Sequence, residues 1–267
     1  MQIRHVRLVP FSPTGTTKAV LGAIAEGRGG ATVAWLDLTP PAAAGMDPVL
    51  LTDDVVVFGV PVYAGRVPPT AMARLQAITG DGTPAVLVAV YGNRAYEDAL
   101  LELSDWAEGA GFIPIAGAAF IGEHSYDAPA TPIATGRPDA ADLARARAFG
   151  AAVCAQLDGV ARGDALPTVA VPGNRPYRER GAHRAVAPVT VVDACTLCGR
   201  CAAACPTAAI AVGDEVVTDA QACIMCCACV KVCPEDARVV ADEGVLGTAR
   251  WLSRDYGARR DPEVFLP

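Results

Sequence analysis

Nine of the chain's ten cysteines fall between Cys195 and Cys233, and eight of them repeat one pattern. The first run is Cys195-x2-Cys198-x2-Cys201-x3-Cys205-Pro206, and the second is Cys223-x2-Cys226-x2-Cys229-x3-Cys233-Pro234. Each ligand of the second run stands 28 positions after its counterpart, Cys223 after Cys195 and Cys233 after Cys205. A segment this short cannot rely on an apolar core, so whatever the cysteines bind has to brace it.

The spacing suits two [4Fe–4S] clusters. Three cysteines separated by two residues each can curl around one cubane. The fourth, three residues further on, points away and reaches the other cluster. The expected ligand sets therefore cross: Cys195, Cys198 and Cys201 with Cys233, and Cys223, Cys226 and Cys229 with Cys205. The proline after each fourth ligand turns the chain and, lacking an N–H, ends any local ladder. Zinc prefers two separated Cys-x2-Cys pairs and leaves the third close cysteine unexplained. Disulfides suit an exported chain, and no export signal is visible here. Cubanes exchange single electrons, so electron transfer is the chemistry this pattern implies.

A chain of 267 residues that is 52% hydrophobic has room for one medium domain and one small one. Its first residues lack the apolar stretch of a signal peptide, and no apolar run reaches the roughly 18 residues of a membrane span. The expectation is a soluble cytoplasmic protein in a reducing compartment. The formal net charge is −7, and two oxidised clusters would each add about two negative charges. Such a surface suits basic redox partner proteins and disfavours nucleic acid, although acidity also serves plain solubility.

Residues 1–158 alternate strand-like and helix-like segments, the rhythm of an α/β domain with a parallel sheet. Strands are expected at 6–9, 31–36, 55–60, 85–90 and 113–121, and helices at 17–26, 69–79, 96–110 and 139–157. The Pro/Ala-rich stretch 39–52 leaves the second crossover helix short or absent. Five strands in this rhythm suit a doubly wound, flavodoxin-like sheet of order 2-1-3-4-5. Residues 159–188 read as a linker. Its arginines Arg175, Arg178, Arg180 and Arg184, with His183, make either a solvated connector or a basic strap along acidic cofactors. Residues 189–241 form the cysteine domain, and 242–267 a tail with one short amphipathic helix around Leu246, Trp251 and Leu252. That helix either packs back on a domain or offers Trp251 to a partner.

Three loops fall at the carboxyl ends of strands 1, 3 and 4, where such sheets bind ligands. After strand 1, Ser12, Thr14, Gly15, Thr16 and Thr17 form a hydroxyl-rich turn at a helix N-terminus, which is either a phosphate cradle or an ordinary cap. After strand 3 come Pro61, Tyr63, Ala64 and Gly65. After strand 4 come Tyr91, Gly92, Asn93 and Tyr96. Tyr63 and Tyr96 could sandwich a planar ring system. His124 follows strand 5 on the same side, as a proton donor or a structural loop residue. Cys154 and Cys227 read as small buried thiols. No Gly-x-Gly-x-x-Gly follows a strand, so neither an NAD nor an FAD adenylate site is supported.

The loop Ser12-Pro13-Thr14-Gly15-Thr16-Thr17 resembles the flavodoxin phosphate loop, and Tyr91-Gly92-Asn93-Arg94-Ala95-Tyr96-Glu97 resembles the flavodoxin loop whose tyrosine, here Tyr96, stacks on FMN. Across nearly its full length the chain resembles a bacterial and archaeal family in which a flavodoxin-like domain is fused to a two-cluster ferredoxin. The stretches that carry this are 11–18, 61–66, 90–101, 120–126, 172–177 and 223–238. The resemblance implies FMN and two [4Fe–4S] clusters in an electron-transfer protein whose donor and acceptor are undefined. The rival expectations are a flavin oxidoreductase that reduces a quinone, nitro compound or disulfide, and a redox-sensing or zinc-binding module.

Overall fold

Apolar runs covered on both faces are what parallel strands require, and the inner strands of the central sheet are such runs, while its edge strand Thr32–Trp35 is largely exposed. A computed structural model describes residues 3–27, 29–160, 165–182 and 184–267; His183 of the expected strap lies outside them. Strands β1 (His5–Pro10), β2 (Thr32–Trp35), β3 (Val55–Pro61), β4 (Thr83–Tyr91) and β5 (Phe112–Ile121) run parallel in the order β2-β1-β3-β4-β5. This is the flavodoxin-like order. The direction of winding reverses between β1 and β3, which opens a crevice at the strands' carboxyl ends.

Four helices cover the sheet: α1 (Thr16–Glu26), α2 (Pro69–Leu75), α3 (Ala99–Gly109) and α4 (Ala140–Asp158). The two-residue period of a strand divides the core between them. Val55 and Val57 of β3 pack with Leu21 and Ile24 of α1 and with Phe149 and Val153 of α4. Val56, Phe58 and Val60 pack with Leu75 of α2 and with Leu100, Leu103 and Trp106 of α3. The Phe58 and Trp106 rings meet edge to face at 4.9 Å. The backbones of α1 and α4 touch: a Cβ on Gly150 would lie 2.0 Å from the Ile24 carbonyl oxygen, so only glycine fits there.

Two segments depart from the expected helices. α2 stops at Leu75, and Ile78–Gly80 instead pairs in parallel with Val49–Leu51 as a separate ribbon. β-branched Ile78 and Thr79 favour that extended course. The stretch 39–52 thus holds only a 3-10 turn at Pro41–Gly45 and one strand of that ribbon. α3 begins at Ala99 rather than at 96, because Glu97 adopts φ +45°.

The cysteine-rich segment contains strands β6 (Val189–Thr190), β7 (Ile210–Val212), β8 (Val216–Thr218) and β9 (Arg238–Val239), with short helices α5 (Arg200–Ala203) and α6 (Ala228–Lys231). β7 pairs antiparallel with β8, and β6 with β9. The sequence repeat is also a backbone repeat. Left-handed residues recur at matched positions: Leu197 and Met225 (φ 55° and 51°), Gly199 and Cys227 (76° and 57°), and Ala208 and Asp236 (53° and 48°).

The tail returns to the first sheet. Helix α7 (Glu243–Asp255) buries Val245, Ala249 and Leu252, the last two against Ile133. Strand β10 (Glu263–Phe265) then adds antiparallel to the free edge of β5, with Val264 opposite Ala118. The sheet therefore has six strands, one more than expected from residues 1–158. No described helix is long and apolar enough to cross a membrane.

Candidate functional site

The turn between β1 and α1 is held open by its own hydrogen bonds. Gly15 has φ +84° and nothing within 4 Å of a hypothetical Cβ, so the backbone is exposed at this point. The Ser12 hydroxyl accepts the Lys18 N–H at 3.0 Å, and the Ser12 N–H donates to the Thr39 hydroxyl at 2.8 Å. The first N–H groups of α1 have no carbonyl one turn behind them. Thr17, 1% exposed, holds a hydroxyl buried without any hydrogen-bond partner. A buried, unpartnered donor beside free helix amides fits an anion such as a phosphate.

This turn forms one end of a cavity of about 460 Å³. Of the residues expected at the site, Ser12, Thr14, Thr16, Thr17, Pro61, Tyr63, Ala64, Gly65, Tyr91 and Gly92 line it. Gly15 carries the turn without appearing in the wall. Two expected residues lie elsewhere. The Tyr96 hydroxyl donates to Glu263 of β10 at 3.0 Å, and its ring meets Tyr91 edge-on. Asn93 donates to the backbone carbonyls of Tyr256 and Ala258. Both residues hold the returning tail, and that is why they are drawn away from the cavity.

The tail supplies replacements. Thr248, Trp251 and Leu252 of α7 line the cavity, as do Ile224 and Met225 from the second cysteine run. Sequence patterns could not place these residues, since each reaches the crevice through a tertiary return. His124 also lines the cavity. Its Nδ1 accepts the Tyr126 N–H at 3.0 Å, which leaves the proton of the neutral ring on Nε2. Burial lowers its pKa from 6.5 to about 4. Gly92 packs directly on this imidazole, where an added Cβ would meet it at 2.2 Å. Tyr63 is hydrogen-bonded to Ser125, and burial and the nearby Cys226 and Cys227 sulfurs raise its pKa.

The arginine-rich segment is a strap, but it lies along protein carboxylates. Arg175 and Tyr177 bond to Asp105, Arg178 to Glu97, and Arg180 to Glu102. The Asn174 and Arg178 N–H groups donate to Asp98 at 2.8 and 2.7 Å. Asp98 at the N-cap of α3, and Glu102 and Asp105 within it, recur at helical spacing and so present one acidic face. Arg66 completes the network with a two-pronged bond to Glu102, 2.8 Å in each arm, and stacks over Tyr177 at 4.5 Å. Of the strap arginines only Arg178 reaches the cavity wall. Arg184 pairs with Asp242, the N-cap of α7.

The cysteines gather around two further small cavities. One is bordered by Cys205, Cys223, Cys226 and Cys229, the other by Cys195, Cys198, Cys201 and Cys233. Each group of four draws one member from the other run. Among the described residues no group of three or more His, Cys, Asp or Glu converges on a single-ion position; the sulfurs instead stand around a space. Backbone amides point at several of them: Ala209 N–H at Cys205 (3.3 Å), Ala237 N–H at Cys233 (3.2 Å) and Met225 N–H at Cys223 (3.4 Å). Such bonds favour the thiolate form that iron requires. Burial, with a smaller push from the neighbouring Cys229, Cys205 and Cys223, works the other way and raises the Cys226 thiol to about 12. Cys227 is 1% exposed and borders the first of these cavities, and its Sγ donates to the Met225 carbonyl.

The two parts of the molecule are joined at the same place. Buried Arg74 of α2 donates to the Leu38 and Thr39 carbonyls and also to that of Pro206, next to Cys205. Lys231 of α6 pairs with Glu123 at 2.6 Å.

A family model described as a 4Fe-4S dicluster domain matches residues 187–234. No curated protein matches the chain. Among solved structures, flavodoxin 2 from Bacillus cereus is 14% identical with a TM-score of 0.43, over 57% of this chain and 98% of that one. A flavodoxin, WrbA-like protein from Agrobacterium tumefaciens is 17% identical with a TM-score of 0.39, over 57% and 96%. The Flv1 flavodiiron core from Synechocystis sp. is 18% identical with a TM-score of 0.42, over 59% of this chain; the present chain spans 36% of that core. The assignment of the fold rests on the sheet order. The chain thus combines a flavodoxin-like sheet with a 4Fe-4S dicluster segment, which is equipment for redox chemistry.

Proposed function

We propose that the protein relays electrons between FMN and two [4Fe–4S] clusters and onward to redox partner proteins. The observation that carries this is a shared wall: Ile224 borders both the crevice cavity and the cavity of Cys205, Cys223, Cys226 and Cys229. When bound, FMN supplies exchange of electrons in pairs or singly, and the clusters exchange them singly. The turn from Ser12 to Thr17 is suited to a monophosphate, which favours FMN over a dinucleotide. Trp251, Tyr63 and Tyr91 offer aromatic faces or edges for the ring system. The crossed sets, Cys205 with the second run and Cys233 with the first, are the ligands we assign. In this reading residues 1–158 hold the flavin, 189–241 hold the clusters, 159–188 strap the two, and 242–267 clasp them, in the cytoplasm.

Repetition within the cluster segment supports a way out. Met225 lines the crevice cavity, whereas its counterpart Leu197 is 42% exposed. Cys198 beside it is also exposed. The first run thus offers solvent the loop that the second run offers to the flavin. The alternative, a flavin oxidoreductase for a small substrate, has less room, because α7 and the second cysteine run add Thr248, Trp251, Leu252, Ile224 and Met225 to the crevice wall.

Anaerobic purification with counts of flavin, iron and acid-labile sulfide tests the cofactors. The expected content is one FMN, eight iron and eight sulfide per chain. Rapid mixing with a limiting one-electron reductant then tests the relay. Electrons should redistribute between iron and flavin absorbance at a rate independent of protein concentration. FAD alone, zinc in place of iron, or redistribution only by collision would sink the proposal. In Cys205→Ser, the spectroscopic change should fall on the cluster held by Cys223, Cys226 and Cys229.

A further inference from the structure

We infer that Arg238 is an electrostatic tuning residue set between the two cluster sites, and that its charge raises their reduction potentials. Arg238 is 3% exposed. Its guanidinium donates to the hydroxyls of Thr190 (2.6 Å) and Thr218 (2.9 Å) and to the Pro188 carbonyl (2.7 Å), and lies 3.9 Å from Cys229 Sγ. Thr190 and Thr218 are themselves 28 positions apart, matched residues of the two repeats. The cation therefore sits between the repeats. It contacts a sulfur of one cysteine set and borders the cavity of the other, with Cys195, Cys198, Cys201 and Cys233.

Two further observations separate charge from packing. Among the described residues no carboxylate pairs with Arg238, and its Nε is buried without a partner. A buried cation without an anion is costly, so the anion has to come from what the cysteines hold. The repeat also supplies a built-in comparison. The position matched to Arg238 in the first run is Ile210, itself 8% exposed. The same backbone accepts a purely apolar side chain, and the second copy carries a charge there instead.

The sign follows from charge balance. A four-thiolate cubane goes from an overall charge of about −2 to about −3 on taking one electron, with no bond made or broken. A nearby buried cation stabilises the more negative state. Potentials of such clusters respond to net charge and to hydrogen bonds to sulfur. The inference rests on the assignment of two [4Fe–4S] clusters. Iron and sulfide analysis of the same samples distinguishes failure of that assignment from failure of this one.

The test is an anaerobic redox titration of the full-length holoprotein with dithionite as reductant, followed by electron paramagnetic resonance. Arg238→Ile copies the matched position, and Arg238→Gln keeps hydrogen-bonding capacity without charge. Both should retain iron and make reduction at least tenfold less favourable for the cluster that includes Cys229, which is about 59 mV for one electron. The other cluster should shift in the same direction. Arg238→Lys, which keeps the charge, should stay within threefold of wild type. Unchanged midpoints in either neutral variant would overturn the inference. If neither neutral variant loads its clusters, lysine decides: a midpoint within threefold supports the role of charge, and a tenfold fall overturns it.

Discussion

His124 faces the crevice cavity as a neutral ring. Its depressed pKa of about 4, against an ordinary 6.5, has burial as its largest cause. As pH falls, the unfolded chain takes up this proton before the folded one does. The stabilising contribution is therefore complete above the unfolded-state value of 6.5 and is lost as pH falls towards 4, by about 3 kcal/mol. His124→Gln should flatten that part of the pH dependence, measured as the difference in urea stability between variant and wild type. At neutral pH the residue can donate a hydrogen bond through Nε2 but is not a charged acid. A second outcome at this scale concerns aromatics. Trp251→Ala should weaken FMN binding by tenfold or more in a fluorescence titration, since it removes a large ring from the cavity wall. Tyr96→Ala should change affinity by less than threefold and instead loosen the tail at Glu263. The loop that resembles a flavin-stacking element thus carries Tyr96 in the expected place along the chain but not in space. Local sequence could show Tyr91 and Gly92 at a strand end. It could not show that residues 256–263 would return to occupy Tyr96 and Asn93.

At the scale of elements, periodicity made most of the sheet domain legible. The runs at 55–60, 85–90 and 113–121 are long, apolar and β-branched, and they became β3, β4 and β5 with small changes at their ends. Helix boundaries were harder, because α2 and α3 are trimmed by contacts made elsewhere. Asp98 illustrates this: its carboxylate serves the strap's N–H groups, and α3 starts after it. The strap was visible as a concentration of arginine. Its target was not, since Asp98, Glu102 and Asp105 read only as the polar side of a helix. Glu102 is the keystone of that contact. It accepts from Arg66, from Arg180 and from the Val67 N–H at 2.9 Å, and it is 7% exposed. Removing one partner of a buried ion pair leaves the other uncompensated. Glu102→Ala should cost about 3–5 kcal/mol in chemical denaturation. Arg175→Ala, at an exposed pair, should cost no more than about 1 kcal/mol.

For the whole molecule, the asymmetry between two matched loops sets what an outside partner meets. Leu197 and Val192, 42% and 76% exposed, border one surface hollow with Cys195, Asp214 and Glu215, so apolar and acidic groups meet beside the first cysteine run. A basic one-electron protein acceptor such as cytochrome c should dock there through apolar contact and charge steering. Leu197→Glu should slow its reduction at least tenfold in stopped flow, while a small viologen dye is reduced at the wild-type rate. Equal slowing of both would place the defect inside the protein.

The edge strand β10 has a consequence for how this chain comes apart. The polypeptide leaves the sheet after α4, builds the cysteine-rich segment, and comes back to the same sheet to end as its outermost strand. The cluster segment is thus threaded between two attachments to one body rather than hung from a single tether. A protease nick within 159–188 should release no fragment under native conditions: the cut pieces should migrate together on a sizing column and part only in denaturant. Separation should require loss of the Val264 pairing together with the packing of α7 on Ile133 and the Arg74–Pro206 and Lys231–Glu123 contacts, because the hold on the cluster segment is shared among them once the peptide bond is cut.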